Sequence, residues 1–326
     1  MPTITYSCEN FPSALGNTLQ GTQTLTASWS EIVWAAISVG RRQIQHMFQY
    51  GRFSLFEITY RAAMIYANLR ENTAGQIVRS SAYDGLDPSE KGAVSYFIGL
   101  TFAKLFAARL LGVPWVMHLD VYQEQLNPVL KGASRPDLVG LNVSGDWVVL
   151  EAKGRTNEFT EGTLFQAKLQ SQQLSTLQGA APVLRVGALT YFDNGTLEIA
   201  ARDPEPDPEK NHLPDLPLTP AQLLETYYRP FNLWTEHSGV SAQFYDEGQT
   251  YRVVGLPEYE VTVGVPDFPP SPETFAVQSR KVRAGDRARK LRLTKSAYRA
   301  TDGLIVDVGR IWSEANMQLE PQRRRP

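Results

Sequence analysis

Three charged side chains near the middle of the chain have the types and the spacing needed for phosphodiester chemistry. Asp137 directly follows Pro136, and Glu151 and Lys153 come fourteen and sixteen residues later, separated by Ala152. Because residues two apart in a strand project from the same face, Glu151 and Lys153 should point together. A bend at Pro136 would place Asp137 on the adjacent strand, facing Glu151. The spacing therefore predicts two carboxylates that converge beside one lysine.

Such a set of oxygen donors suits a divalent metal ion. Carboxylates and backbone carbonyls are the hard donors that Mg²⁺ prefers, so we expect Asp137, Glu151 and the carbonyl of Ala152 to bind Mg²⁺ or Mn²⁺. The ion would lower the pKa of a bound water and neutralise charge on a phosphoryl oxygen. Lys153 would orient that water or stabilise the pentacovalent phosphorane. The chemistry indicated is hydrolysis of a phosphodiester.

The segment that carries Glu151 is typical of a central, covered strand. Both faces are apolar from Val148 to Leu150, just before the charged pair. A carboxylate and an ammonium at such a place are costly unless they pair or bind something. The alternative interpretation is a surface hairpin with a cross-strand ion pair, whose contribution to stability would be small.

The surrounding patterns predict the elements that must position these residues. A long apolar-rich helix over 89–111 should be capped by the Asp87-Pro88-Ser89-Glu90 segment and end at Gly112. The predicted strands lie at 114–122, 136–143, 146–153, 183–191 and 195–201. The turn Ser144-Gly145-Asp146 joins the second and third strands as a hairpin. Three further helices are predicted at 28–50, 53–71 and 161–178, with a loop at 76–87.

The Pro136-Asp137 and Glu151-Ala152-Lys153 motifs resemble those of the PD-(D/E)XK nuclease superfamily, which has the restriction-endonuclease-like fold. The resemblance implies an α/β protein with a mixed sheet (an α+β arrangement). Its core elements should follow one another in the order α-β-β-β-α-β. It also implies a Mg²⁺-dependent endonuclease with Asp137 and Glu151 as metal ligands and Lys153 as the catalytic lysine. The motif is short, and well over half of the chain lies outside the implied core.

Members of this superfamily often place an acid on the first core helix and a Gln or Lys on the second. Glu90 is the candidate acid, although an acidic residue at a helix start also favours the helix dipole. Gln170 is the candidate on the second helix, in a stripe with Gln166 and Gln173; the alternative is a solvated glutamine-rich face.

Other polar residues flank the motifs. Arg135 and Arg155 could grip phosphates, and Gln166 could contact nucleic acid, although surface arginines are common. His118 and Asp120 share one face of their strand and could act as a second acid or a metal pair. A hydrogen-bonded core histidine is the alternative that we favour.

Composition divides the chain into regions. We predict an N-terminal helical region at 1–84, the nuclease-like core at 85–202, a proline-rich acidic linker at 203–220 and a C-terminal α+β region at 221–326. Nine Lys or Arg residues against one Asp give the segment 280–299 a charge of +8, while the whole chain carries −2. Residues 1–279 are therefore acidic, and only a local phosphate-binding patch is expected.

Composition also limits the class of protein. The single cysteine, Cys8, excludes an internal disulfide and a thiolate zinc cage. The first thirty residues lack a secretory signal, and we find no run of about twenty apolar residues, so we expect a cytoplasmic protein without a membrane span.

The sequence thus favours a metal-dependent nuclease that acts on DNA rather than RNA, in a bacterial defence or repair system and with a partner protein or a second copy. Two other interpretations stay open. The chain could be a non-catalytic binding or regulatory module on a nuclease-like scaffold, or a hydrolase of another phosphoester.

Overall fold

The computed structural model describes residues 1–39, 52–122, 135–204, 215–237, 242–246, 249–274 and 297–312. The helices, in chain order, are α1 (Trp29–Ser38), α2 (Arg52–Asn68), α3 (Ser81–Asp84), α4 (Pro88–Leu110), α5 (Glu161–Ser171) and α6 (Pro220–His237). The strands of the first half are β1 (Thr3–Glu9), β2 (Gly21–Thr26), β3 (Leu69–Glu71), β4 (Ile77–Arg79), β5 (Trp115–His118), β6 (Leu138–Leu141), β7 (Trp147–Gly154) and β8 (Thr176–Leu177). Those of the second half are β9 (Leu184–Asp193), β10 (Thr196–Arg202), β11 (Asp215–Leu216), β12 (Ala242–Asp246), β13 (Gln249–Leu256), β14 (Val261–Pro266), β15 (Tyr298–Arg299) and β16 (Ile305–Val308).

The large sheet is mixed and has the order β2-β1-β10-β9-β7-β6-β5, with the β3-β4 hairpin attached to β10. Strands β7 and β9 run parallel, as do β1 and β10, and the other pairs of this sheet are antiparallel. A second sheet has the order β12-β13-β14-β16-β15, and β8 pairs with β11. The predicted α/β class with a mixed sheet is confirmed.

Strand β7 is covered on both faces, as its sequence predicts. Val148, Leu150 and Ala152 belong to the core that includes residues of α1 and α4. Trp147 and Val149 belong to a second core that includes residues of α6. This alternation sends Glu151 and Lys153 to the same face as Trp147 and Val149, because side chains two apart share a face.

Helix α4 begins with the predicted cap. Asp87 accepts the backbone N–H groups of Ser89 and Glu90, and Glu90 Oε2 accepts the N–H of Asp87 at 3.1 Å, which completes a capping box. By length and composition this helix could cross a membrane, but 61% of its most apolar window is buried. It packs against α1, β7 and β9, which is how a core helix of a globular domain behaves.

Two glycines let α4 approach the strand that carries Glu151. A Cβ at position 99 would lie 2.8 Å from the nitrogen of Gly154, and a Cβ at position 154 would overlap the backbone oxygen of Ser95. Neither contact can be relieved by a rotamer change, because the opposing atoms belong to the backbone.

Gly154→Ala should therefore destabilise the fold by about 1–3 kcal/mol or more, since it forces α4 away from β7. Gly92→Ala, at an exposed position of the same helix with open space around it, should instead stabilise by roughly 0.5–1 kcal/mol. Urea unfolding of the two variants measures both values. A Gly154→Ala protein as stable as the wild type would contradict the close packing.

The region 1–84 differs from the helical prediction. Strands β1 and β2 precede α1 and join the large sheet. The sequence carried the signal, since Ile4, Tyr6 and Cys8 alternate with exposed or half-exposed residues along β1. The predicted helix 28–50 is described only as far as α1, and residues 40–51 lie outside the described part of the chain.

Several predicted boundaries also shift. The predicted helix 53–71 ends at Asn68, and the predicted loop 76–87 contains β4 and α3. The strand expected over 114–122 ends at His118 and continues as a 3₁₀ turn, Leu119–Tyr122. The helix expected over 161–178 ends at Ser171, because Thr176 and Leu177 pair with β11 instead.

The C-terminal region contains helix α6, which continues past Pro230 to His237, and the strands β12 to β16. Most of the predicted linker, residues 205–214, and most of the basic segment, residues 280–296, lie outside the described residues.

Candidate active site

The chain brings Asp137 and Glu151 together at the point where β6 begins. Leu138 is the first residue of β6 and pairs with Leu150 of β7, so Asp137 stands opposite Glu151. The Asp137 N–H donates to Glu151 Oε2 at 2.8 Å, and the Ala152 N–H donates to Asp137 Oδ2 at 3.2 Å. The two predicted acids therefore hold each other in place through the backbone.

Lys153 lies against the same acid pair. Its ammonium donates to Glu151 Oε1, and its side chain is 30% exposed whereas that of Glu151 is 1% exposed. Helix α5 explains the burial of Glu151: Gly187 neighbours Glu151 on β9, and a Cβ there would lie 2.7 Å from the nitrogen of Lys168. The helix thus crosses the sheet directly beside Glu151.

Burial makes this pair of acids hard to ionise. Burial, and then the charge of Asp137, raise the pKa of Glu151 from 4.5 to about 8, although Lys153 opposes the shift. Burial likewise raises the pKa of Asp137, against the opposing effects of Lys153 and of the Ala152 N–H. Once both acids are ionised, two carboxylates face the one ammonium of Lys153, and the cluster can then accept a further positive charge.

The donor set fits Mg²⁺ in its chemistry. The N–H of Ala152 points to Asp137, and in an extended strand the C=O of a residue points to the same edge as its N–H. The carbonyl of Ala152 therefore lies on the Asp137 side of β7. In the described part of the chain no three His, Cys, Asp or Glu side chains cluster closely enough to hold a metal by themselves. Mg²⁺ commonly uses one or two carboxylates, and substrate and water supply its other ligands.

A histidine lies close to the acid pair. His118 Nε2 is 3.9 Å from Asp137 Oδ1 and 2.9 Å from the hydroxyl of Tyr96. His118 Nδ1 accepts the N–H of Asp120 at 3.1 Å. The carboxylate of Asp120 accepts two hydrogen bonds from the guanidinium of Arg135, one of them 2.8 Å long. The preferred interpretation of His118 as a hydrogen-bonded residue agrees with these contacts.

A cleft of about 450 Å³ opens beside Asp137. One wall comes from the ends of β5 and β6 and the opposite wall from α2 and α4. The lining residues are Glu57, Arg61, Tyr96, Phe97, Leu100, His118, Asp120, Arg135, Pro136 and Asp137. Sequence reasoning missed the α2 and α4 residues of this cleft, because aromatic and charged residues are ordinary on a predicted helix.

The remaining predicted site residues lie elsewhere or have other partners. Glu90 is exposed and engaged in the capping box, so the structure does not bring it to the acid pair. Gln166 is exposed on α5, and Gln170 is half-buried near the end of that helix. Arg135 borders the cleft but is paired with Asp120. Arg155 donates to Thr163 at 2.9 Å and lines a different surface recess with Arg79.

Comparisons of the chain with protein-family models, with curated proteins and with solved structures gave no match.

Proposed function

We propose that this protein is a metal-dependent nuclease that hydrolyses phosphodiester bonds at Asp137, Glu151 and Lys153. The proposal depends on one observation: two acids on adjacent strands converge beside one lysine. The carboxylate of Glu151 accepts the backbone N–H of Asp137 and the ammonium of Lys153, and the carboxylate of Asp137 accepts the backbone N–H of Ala152. Buried acids with shifted pKa values beside a cleft are frequently part of a functional site.

The chain's own residues would divide the work. Asp137, Glu151 and the carbonyl of Ala152 would hold Mg²⁺ or Mn²⁺. When bound, the ion supplies charge neutralisation at the phosphodiester and acidifies water. Lys153 is the most exposed of the three charged groups, and its ammonium can turn from Glu151 to a water or a phosphate oxygen. The cleft admits the substrate from the Asp137 side.

The order of elements supports membership of the PD-(D/E)XK superfamily as part of this proposal. Helix α4, the antiparallel strands β5, β6 and β7, helix α5 and strand β9 follow one another in the α-β-β-β-α-β order. The Pro136-Asp137 and Glu151-Ala152-Lys153 motifs lie at the ends of adjacent strands in that core.

The first test incubates the purified protein with labelled DNA and RNA, each single-stranded and double-stranded, with and without Mg²⁺ or Mn²⁺. Cleavage of a polymer only when a divalent ion is present supports a nuclease. Turnover of nucleotides alone would instead indicate a hydrolase of another phosphoester, and no turnover of any of these substrates would count against catalysis.

The raised pKa of Glu151 predicts how metal binding depends on pH. In the metal-free protein the Glu151 carboxyl stabilises the folded state fully below pH 4.5, and this contribution is lost as the pH rises through about 8. A divalent ion must displace the proton, so Mn²⁺ affinity should increase between pH 6 and pH 8 by up to about tenfold per unit. Calorimetry in buffers of different ionisation enthalpy measures both the affinity and the proton release.

The matched variant is Glu151→Gln, which has no carboxyl proton to release and should bind Mn²⁺ weakly at every pH. A wild-type affinity that does not change with pH would contradict this assignment of the ligands.

A second candidate function is a non-catalytic binding module. It is favoured by the internal pairing of the acids, since Lys153 and two backbone N–H groups already satisfy Glu151 and Asp137 without a metal. If the protein is such a module, calorimetric titration with Mn²⁺ should give the same heat for the wild type and for Asp137→Asn.

A further inference from the structure

Aromatic side chains lie in and beside the cleft at Asp137, and the proposed hydrolysis does not use them. The rings of Tyr96 and Phe97 lie 5.5 Å apart, and Tyr60 of α2 approaches Phe97 edge-on at 6.0 Å. Tyr96 is 38% exposed and Tyr60 is 53% exposed. Single exposed aromatic residues are common, but a contiguous group beside a polar site suggests a ligand with a flat apolar face.

The Tyr96 ring is held in a fixed orientation. His118 Nε2 and the Tyr96 hydroxyl form a hydrogen bond of 2.9 Å. The imidazole is itself held at its other nitrogen, because His118 Nδ1 accepts the N–H of Asp120. A ring fixed in this way is preorganised for stacking.

The charges of the cleft do not suit a phosphate backbone lying across it. Arg61 donates two hydrogen bonds to Glu57 Oε1, at 3.0 and 2.8 Å, and Arg135 pairs with Asp120. Each guanidinium is therefore matched by a carboxylate, and Asp137 adds a further acid. Recognition in this cleft should come from the aromatic rings more than from cations.

The size of the cleft limits what can enter. A volume of about 450 Å³ is in the range of pockets for small ligands and can hold one nucleotide. A base in a continuous duplex is stacked and paired, and it must leave the helix before it can reach a recess of this kind.

We propose that the cleft binds one unpaired nucleotide of the substrate, with its base stacked on Tyr96, so that the preferred substrate is single-stranded nucleic acid. The inference rests on the proposed function, since it assigns a substrate class to the same site. The chemistry is common to single-stranded DNA and RNA, because every base has a face that can stack.

Binding measured in EDTA tests this inference without any need for catalysis. Fluorescence anisotropy would compare a single-stranded DNA oligonucleotide, the same sequence as RNA, and the blunt DNA duplex. We expect at least one single strand to bind more tightly than the duplex. Tyr96→Leu should weaken single-strand binding by about tenfold or more. Tyr96→Phe, which keeps the ring, should lose about threefold or less.

Two controls separate stacking from a structural role of Tyr96. Phe165→Leu removes another exposed aromatic side chain, on α5, and should leave binding unchanged. The fluorescence of a 2-aminopurine base in the oligonucleotide should be quenched when it binds to the wild type or to Tyr96→Phe, but not when it binds to Tyr96→Leu.

Equal binding of duplex and single strand, no binding of either, or full affinity in Tyr96→Leu would overturn the inference. Metal-dependent cleavage without any effect of Tyr96 on binding would support the nuclease proposal and contradict the single-strand site. Tyr96-dependent binding without cleavage would support the single-strand site and contradict the nuclease proposal.

Discussion

Glu151→Gln is expected to reduce metal-dependent cleavage of nucleic acid by at least about 10²–10³-fold, the scale on which one preorganised electrostatic group acts. The amide has the shape of the carboxylate and can still accept the N–H of Asp137, so the strand pairing should survive. Because Glu151 is buried and holds its proton tightly, the neutral amide should not destabilise the fold. Cleavage rate and urea unfolding, measured on the same sample, check both statements.

Lys153→Met separates the role of the lysine from that of the acids. This variant should lose cleavage to a similar extent but still bind Mn²⁺, whereas Glu151→Gln should lose both. Glu158→Gln, at an exposed position in the loop after β7, is the matched control and should cleave like the wild type. Unchanged cleavage in both Glu151→Gln and Lys153→Met would remove the assignment of this site.

The second large effect is expected at a buried lysine far from the acid pair. Lys104 of α4 is fully buried, and its ammonium donates to the carbonyl of Pro114 and to the hydroxyl of Tyr227 at 3.1 Å. It also lies 4.7 Å from the centre of the Trp34 ring. The Tyr227 hydroxyl donates in turn to Asp302. This network ties α1, α4 and α6 to the turn before β16.

Lys104→Met should destabilise the protein by about 3–5 kcal/mol, because it removes the cation that favours the charged form of the buried Asp302 carboxyl. Asp302 would keep the donors Trp34, Tyr227 and Leu304, which are neutral groups. The double variant Lys104→Met/Asp302→Asn should lose less than the sum of the single variants, since it removes both charges. Lys168→Met on α5 is the control and should change stability by less than about 0.5 kcal/mol.

The pH dependence gives this prediction a distinct signature. Burial lowers the pKa of Lys104 from 10.5 to about 7, and Asp302 limits the shift. In Asp302→Asn the folded-state pKa should therefore fall further, while the unfolded chain keeps its ordinary value. The unfolded state then binds more protons between pH 7 and pH 10, so stability should rise with pH by up to about 1.4 kcal/mol per unit. The double variant lacks Lys104 and should not show this increase. If its stability rose with pH as steeply as that of Asp302→Asn, Lys104 would not be the group that titrates.

The sequence predicted the central elements because their signals are local. Asp87 and Glu90 mark the start of α4, and the Ser144-Gly145-Asp146 turn marks the hairpin that sets Asp137 opposite Glu151. A period of two was enough to place Glu151 and Lys153 on one face. These local patterns are sufficient to predict the acid pair from the sequence alone.

Other features depend on contacts between distant segments and have no local signal. From the sequence, Lys104 looks like an ordinary helical lysine. Its burial is evident only once α6 and the turn at Asp302 are packed against α4. Tyr96 reads as a core aromatic residue, although the structure leaves it exposed beside His118. Glu90 matched the superfamily's first-helix acid by type, but the capping box accounts for it.

The parallel pairing of β1 with β10 has a consequence for any attempt to shorten the chain. Strand β10 is the last strand of the predicted core, and residues Thr5 to Glu9 pair along it. A polypeptide that started at residue 85 would present the N–H and C=O groups of β10 to solvent as a ready template for another chain. Such a fragment should self-associate through the exposed edge of β10, even if its acid cluster is intact.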